Sequence, residues 1–187
     1  MKKVFILAAA AVVLALAGAQ AQERPRTETT ESVSLYLPYG VGLHYAYEHP
    51  LGRLGTITGR AGVDAGAAWG YNMLGGDRGF WAIAPSIDIE PRFYYGLDRR
   101  AARGHGTSGN AGSFLAMQMK NVMPFGYISD SDLTVVGATS FTPMWGMRRV
   151  WGGSWLFEFT AGATLAWGWR GGFLTSPHCN VRFGYSF

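Results

Sequence analysis

The C-terminal stretch CNVRFGYSF, Cys179 to Phe187, decides the fold. Cys179, Val181, Phe183, Tyr185 and Phe187 alternate with Asn180, Arg182, Gly184 and Ser186. A period of two belongs to a β-strand, whose successive side chains point to opposite faces. Here one face is apolar and aromatic, and the other is small, polar or charged.

The same alternation recurs upstream. Trp155, Phe157, Phe159, Ala161, Ala163, Leu165, Trp167 and Trp169 oppose Leu156, Glu158, Thr160, Gly162, Thr164, Ala166 and Gly168. In Leu133 to Arg148 the apolar side carries Phe141, Pro143, Trp145 and Met147, and Leu115, Met117 and Met119 face away from Gln118 and Lys120. Trp81, Ile83, Ile87, Ile89, Phe93 and Tyr95 oppose Ser86, Asp88, Glu90, Arg92 and Tyr94. Ile57 to Trp69 and Val41 to Glu48 read likewise, and Val33, Leu35 and Leu37 make a short opening strand. Together they predict roughly eight strands, the smallest common membrane barrel and an even number. Reading Val33 to Glu48 as one bent strand would give roughly seven, against the even parity of such barrels.

Composition points the same way. Charged residues are 15%, aromatics 14%, and there are 27 glycines; a soluble domain carries about 25% charge. The chain opens MKKVFILAAAAVVLALAGAQAQ, with basic Lys2 and Lys3, an apolar core from Val4 to Leu16, and small residues Ala19 and Ala21 before Gln22. That is the layout of a cleavable secretory signal over residues 1–21, too short to span a bilayer. No later apolar run is long enough for a helical span. The formal net charge of +4 loses Lys2 and Lys3 with the leader, and the remainder gives no support for nucleic-acid binding. A single cysteine, Cys179, forms no intramolecular disulfide.

The charges settle which face is which. Glu48, Asp64, Asp88, Glu90 and Glu158, with Arg60, Arg92, Lys120, Arg148 and Arg182, fall on the non-aromatic side. Basic residues facing lipid cost about 2–4 kcal/mol at the bilayer midplane, so these ten belong to a lumen plugged by paired charges. A soluble sandwich reverses the arrangement.

With both termini periplasmic, segments 49–55, 96–110 and 148–153 become periplasmic turns, and 38–40, 71–79, 121–131 and 169–178 become outer loops. Trp69, Tyr71, Trp81, Trp167 and Trp169 then form an outer aromatic belt. Tyr45, Tyr47, Phe93, Tyr95, Trp145, Trp155, Tyr185 and Phe187 form an inner one. Residues 22–31 read as a flexible periplasmic lead-in and 32–187 as the barrel. In the long turn Gly96 to Asn110, Asp98 is placed to cap a helical turn through Ala101 and Ala102. Arg99, Arg100 and Arg103 offer positive charge there to inner-leaflet phosphates or an acidic partner. Pro85 and Pro91 predict bulges or local breaks in their strand.

Candidate chemistry is thin. A lipid-modifying barrel, an acyltransferase or deacylase acting on lipid A, needs a nucleophile with a base near the outer leaflet. Ser176 with His178, beside Asp130, Ser131 and Asp132, is the nearest constellation, without its acidic partner placed. His44 reads as a hydrogen-bonded interior residue, and His49 and His105 as turn residues. No histidine pair has metal-ligand spacing and no glycine loop cradles phosphate, so no cofactor or metal is expected. A narrow channel is the remaining alternative, with a lumen that side chains fill.

The run EPRFYYGLDRRAARGHGTSGNAGSFLAMQM, Glu90 to Met119, resembles a segment recurring in small outer-membrane barrels of the OmpA/OmpX-like kind. GLHYAYEHPLGR, Gly42 to Arg53, resembles their descending strand and tight turn. VRFGYSF, with Phe183, Tyr185 and Phe187, resembles the aromatic-terminated signal read by the barrel assembly machinery. The resemblance implies an all-β up-and-down barrel in a Gram-negative outer membrane and brings no activity. The expectation is a non-enzymatic barrel with a structural or surface-interaction role. Its expected partners are outer-membrane lipids including lipopolysaccharide, the assembly machinery, and a surface or periplasmic protein.

Overall fold

The computed structural model describes residues 25–37, 41–72, 76–129 and 134–187. The signal-peptide reading, with Ala19, Ala21 and Gln22, lies outside the described residues, as do Asp130, Ser131, Asp132 and Leu133.

The strands are β1 (Thr30–Leu37), β2 (Val41–Pro50), β3 (Gly55–Asn72), β4 (Gly76–Phe93), β5 (Ser113–Val122), β6 (Ile128–Ser129), β7 (Ala138–Trp151), β8 (Trp155–Gly168) and β9 (Phe173–Ser186). Each long strand pairs antiparallel with its sequence neighbour, and β1 pairs with β9, closing the sheet. The two-residue β6 continues the line of β5 along β4, so eight long strands form the closed up-and-down barrel that the alternation predicts. β1 and β2 are separate strands, with Val33 opposite Tyr45, which retires the bent-strand count.

The registers fix the barrel's breadth. From Val33 the partner positions run through Tyr45, Ala61, Ile87, Asn121, Thr139 and Trp167 to Phe173 on β9. Val33's direct partner on β9 is Tyr185, twelve residues further along the strand. A stagger this much larger than the strand number tilts the strands steeply and widens the ring. Crowding inside is relieved by glycine: a Cβ at Gly42 would fall on the ring of Tyr36, and one at Gly62 on the backbone of Leu43.

The packing is inside out relative to a soluble sheet protein. Val33, Leu35, Leu43, Ile87, Ile89, Leu115, Met117 and Phe183 are exposed, while Glu48, Arg60, Glu90, Arg92 and Glu158 are buried. The apolar core is small and sits where β1 begins and β9 ends: Tyr94, Leu97 and Phe114, flanked by Leu54 and Ala116.

Several boundaries differ from the expectation. Residues 71–79 are not all loop, because the β3–β4 ladder continues through Tyr71↔Asp77 and Asn72↔Gly76. Among the described residues β2 pairs with β3 as far as Val41↔Ala65, while the β3–β4 ladder runs on to Asn72↔Gly76, at the end of the barrel away from the terminal residues. Phe173 to His178 are likewise strand, paired with Trp167 to Gly162. His49 belongs to β2 and stacks beside Tyr47. Pro91 breaks its ladder without a bulge: the β4–β5 pairs Ile89↔Met119 and Arg92↔Ala116 keep one register, and only the intervening pairs are missing. A proline has no N–H to give, so bonds are lost with no residue inserted. At Pro85 the chain diverts instead; β5 ends at Val122, and Met123 N–H bonds the Pro85 carbonyl at 2.9 Å.

The lead-in is tied down over its described part. Thr27 N–H bonds Arg53 O at 2.9 Å, and Asn110 receives Glu28 N–H at 2.8 Å while donating to Glu28 O at 2.9 Å. Asn110 is fully buried and holds a positive φ of 57°. The polar composition of this stretch suggested looseness because its partners lie 25 to 82 residues away in the sequence.

Candidate functional site

The ten charges singled out from sequence all turn into the lumen, where they form two groups. The larger lies toward the terminal end and is centred on Glu158 of β8. Arg92 binds Glu158 through two nitrogens, at 2.8 and 3.0 Å. Arg148 does so at 3.1 and 3.0 Å, and Arg182 at 2.6 Å. Arg92 also donates to Glu90 at 2.6 Å, and Arg60 spans Asp88 and Glu90, both at 2.6 Å. Glu48 accepts from Arg148 at 2.6 Å, Thr56 at 2.6 Å and Tyr94 at 2.8 Å. Four carboxylates thus face four guanidiniums drawn from β2, β3, β4, β7, β8 and β9. The planar fork of arginine, with five N–H donors, suits such sharing between carboxylates.

The smaller group lies toward the opposite end. Asp64 meets Lys120 Nζ at 2.5 Å, the Tyr36 hydroxyl at 2.6 Å and His44 Nε2 at 3.1 Å. His44 is buried, stacks on Tyr36 at 5.3 Å, and lies 3.1 Å from the Ser86 hydroxyl. Sequence alternation placed both groups inside but did not separate them. The separation comes from the stagger, which sets Asp64 and Lys120 above the arginine layer.

Sequence reasoning missed the closure of the terminal end. The segment after β4 folds back as helix α1 (Leu97–Ala102) and a short turn, and Leu97 plugs the barrel mouth beneath Tyr94 and Phe114. Arg92 lies 4.5 Å above the Phe114 ring, joining this plug to the charge layer. Asp98 does not cap the helix. The N-cap is Gly96 without a side-chain bond, and Asp98 grips Arg53 of the β2–β3 turn at 2.7 and 3.0 Å. That contact raises the Arg53 guanidinium above its ordinary value, chiefly through the hydrogen bond. The signal in the sequence was Tyr94, an aromatic on the charged face of its strand. Arg99 and Arg103 remain exposed, and Arg100 turns onto Gly106 O at 3.0 Å.

Ser176 and His178 are not loop residues. Both lie in β9 on the face shared with Asn180 and Arg182, and His178 Nε2 lies 3.1 Å from the Thr160 hydroxyl. Their inferred acidic neighbours, Asp130 and Asp132, lie outside the described residues. Between the two charge groups a polar cavity of about 200 Å³ is lined from β1, β5, β7, β8 and β9.

The belts can be placed by exposure. Tyr45, Tyr47, Phe93, Tyr95, Trp145, Trp155, Tyr185 and Phe187 are all exposed on the outer wall, as are Trp81, Trp167 and Trp169. The side chains of Trp69 and Tyr71 lie outside the described residues. Phe187 N–H bonds Glu31 O at 3.1 Å, so the last residue sits on the β1–β9 seam. Comparison with family models, characterised proteins and solved structures gave no match.

Proposed function

We propose that the chain is an integral outer-membrane β-barrel of a Gram-negative envelope, with a structural or surface-interaction role and a lumen plugged by its own charges. The observation that carries the reading is the inverted wall. Exposed apolar side chains ring the outside and every inward charge described is partnered. In water such a wall would expose contiguous apolar surface far beyond the few hundred Å² usual for a monomer. In a bilayer it meets acyl chains, and the exposed tryptophans and tyrosines near the strand ends meet the headgroups.

The role follows from what the interior leaves room for. The arginine–carboxylate layer and the Tyr94–Leu97–Phe114 plug lie across one end, which opposes conduction. Ser176 and His178 face inward, which opposes attack on a lipid in the outer leaflet. The remaining surfaces are the outer loops, facing lipopolysaccharide or a surface partner, and the arginine-bearing terminal end, facing a periplasmic protein or inner-leaflet phosphates. The C-terminal Phe183, Tyr185 and Phe187 serve the assembly machinery. Fractionation of cells expressing the full chain tests the reading: it should resist carbonate extraction in the outer-membrane fraction, and recovery in the soluble periplasm would overturn it. Planar bilayers containing the refolded protein should stay silent.

A further inference from the structure

We infer that the cavity between the two charge groups is a binding site for a small oxyanion, a phosphate or carboxylate group. Nearly every residue that lines it brings a polar side-chain group, and the lining carries two cations, Lys120 and Arg182, with no carboxylate among them. The counter-charges stand behind the wall: Asp64 holds Lys120 at 2.5 Å, and Glu158 holds Arg182 at 2.6 Å. A visitor to the cavity therefore meets the positive member of each pair.

Two buried groups at this wall lack partners. Arg182, 4% exposed, has an Nε–H with no acceptor, and Asn180, 9% exposed, has an amide oxygen with no donor. Buried polar groups are rarely left so, and both residues stand in the cavity wall. A small oxyanion in the cavity accepts from the Lys120 ammonium and the Arg182 guanidinium, the two cations of the lining. His178 and the hydroxyls of Ser140, Thr142 and Thr164 complete a lining that both gives and accepts. At about 200 Å³ the space suits a small anion and falls below the roughly 300–1,000 Å³ of drug-sized pockets. A bulky ligand finds no room there.

The test uses the full-length barrel refolded in detergent, titrated calorimetrically with inorganic phosphate, with acetate, and with glycerol as a neutral probe. Two variants accompany it. Thr164→Leu fills the cavity without touching a charge, and Asp64→Asn/Lys120→Gln removes one wall cation while keeping the charge balance. Heat-modifiable gel mobility verifies that each is folded. The expected result is saturable binding of phosphate or acetate, with glycerol silent, weakened at least about threefold in both variants. The arm that binds identifies the oxyanion. Absence of saturable binding by either anion overturns the site, as does equal binding of glycerol, or an affinity less than threefold weaker in either folded variant. Because the cavity is internal, its failure leaves the membrane reading to be decided by fractionation.

Discussion

Glu158→Gln probes the arginine layer at its centre. The carboxylate accepts three bonds at Oε2, from Arg92 Nη1 and from Arg148 Nε and Nη2, and two at Oε1, from Arg92 Nη2 and Arg182 Nη1. A glutamine amide keeps one acceptor and turns a donor toward the other side. Its better orientation preserves the Oε2 bonds and sets its NH₂ against Arg92 and Arg182. Two charge-assisted bonds are then lost, at about 1.5–3 kcal/mol each, or about 3–6 kcal/mol together. Breaking a buried ion pair costs about 3–5 kcal/mol by independent measure, so the two routes agree. Urea unfolding of the refolded barrel in lipid vesicles, followed by tryptophan fluorescence, reads the difference. Adding Arg182→Gln restores the balance of charge, since Arg182 joins the layer through Glu158 at 2.6 Å. The double variant should regain at least about 1 kcal/mol over the sum of the single losses, a coupling usual for residues in one network. A loss under about 1 kcal/mol for Glu158→Gln, or strict additivity in the double variant, would refute the claim that the layer acts as one unit.

Three further outcomes follow. Asn110→Ala removes both bonds to Glu28 from a buried residue at φ 57°. It should cost about 1–3 kcal/mol and open residues 25–29 to limited proteolysis. Gly162→Ala would set a Cβ on the Pro143 carbonyl oxygen, whereas one at Gly59 meets nothing within 4 Å. Chemical unfolding should therefore show a loss above about 2 kcal/mol for the first and a change within about 0.5 kcal/mol for the second. Deleting Phe187 removes one backbone bond on the closing seam, to Glu31 O at 3.1 Å. On the proposed reading it should lower the amount of barrel assembled in the outer membrane far more than the stability of refolded protein. Normal outer-membrane levels of the truncated chain would count against that role.

How much was legible in the sequence depends on the range of the interaction. Alternation at Trp155 to Trp167 and Cys179 to Phe187 was local, and it set Glu158 and Arg182 on the inner face because a period of two admits no intermediate answer. Strand ends were less legible. Residues 71–79 read as loop, yet Tyr71 and Gly79 sit in ladder positions opposite Asp77 and Trp69. Asp98 looked like a cap because capping is a local rule, but its partner Arg53 is 45 residues away. Ser176 and His178 looked like a loop pair, yet the structure pairs Pro177 between them with Ala163 in mid-ladder. The split of the charges into two layers was illegible, because it follows from the stagger around the whole ring.

That stagger links closure to content. A barrel of eight strands with little offset is filled by its side chains; a larger offset opens space along the axis. Here the added width is used unequally. Toward the terminal end four arginines, four carboxylates and the Tyr94 plug occupy it, and they join strands as distant in sequence as Glu48 and Arg148. Toward the other end the side chains are shorter, Ser140, Thr142 and Thr164 among them, and the cavity remains. The charged layer therefore fills interior space beside the small Tyr94–Leu97–Phe114 core, and the same layer forms the floor of the cavity. Arg182 belongs to both, bonding Glu158 on one side and lining the cavity on the other. Perturbing it should alter stability and oxyanion affinity together, whereas Thr164→Leu, which removes only the 2.9 Å contact with Thr142, should weaken affinity while leaving the charged layer intact. If Arg182→Gln left both unchanged, the layer and the cavity would have to be regarded as independent features of the lumen.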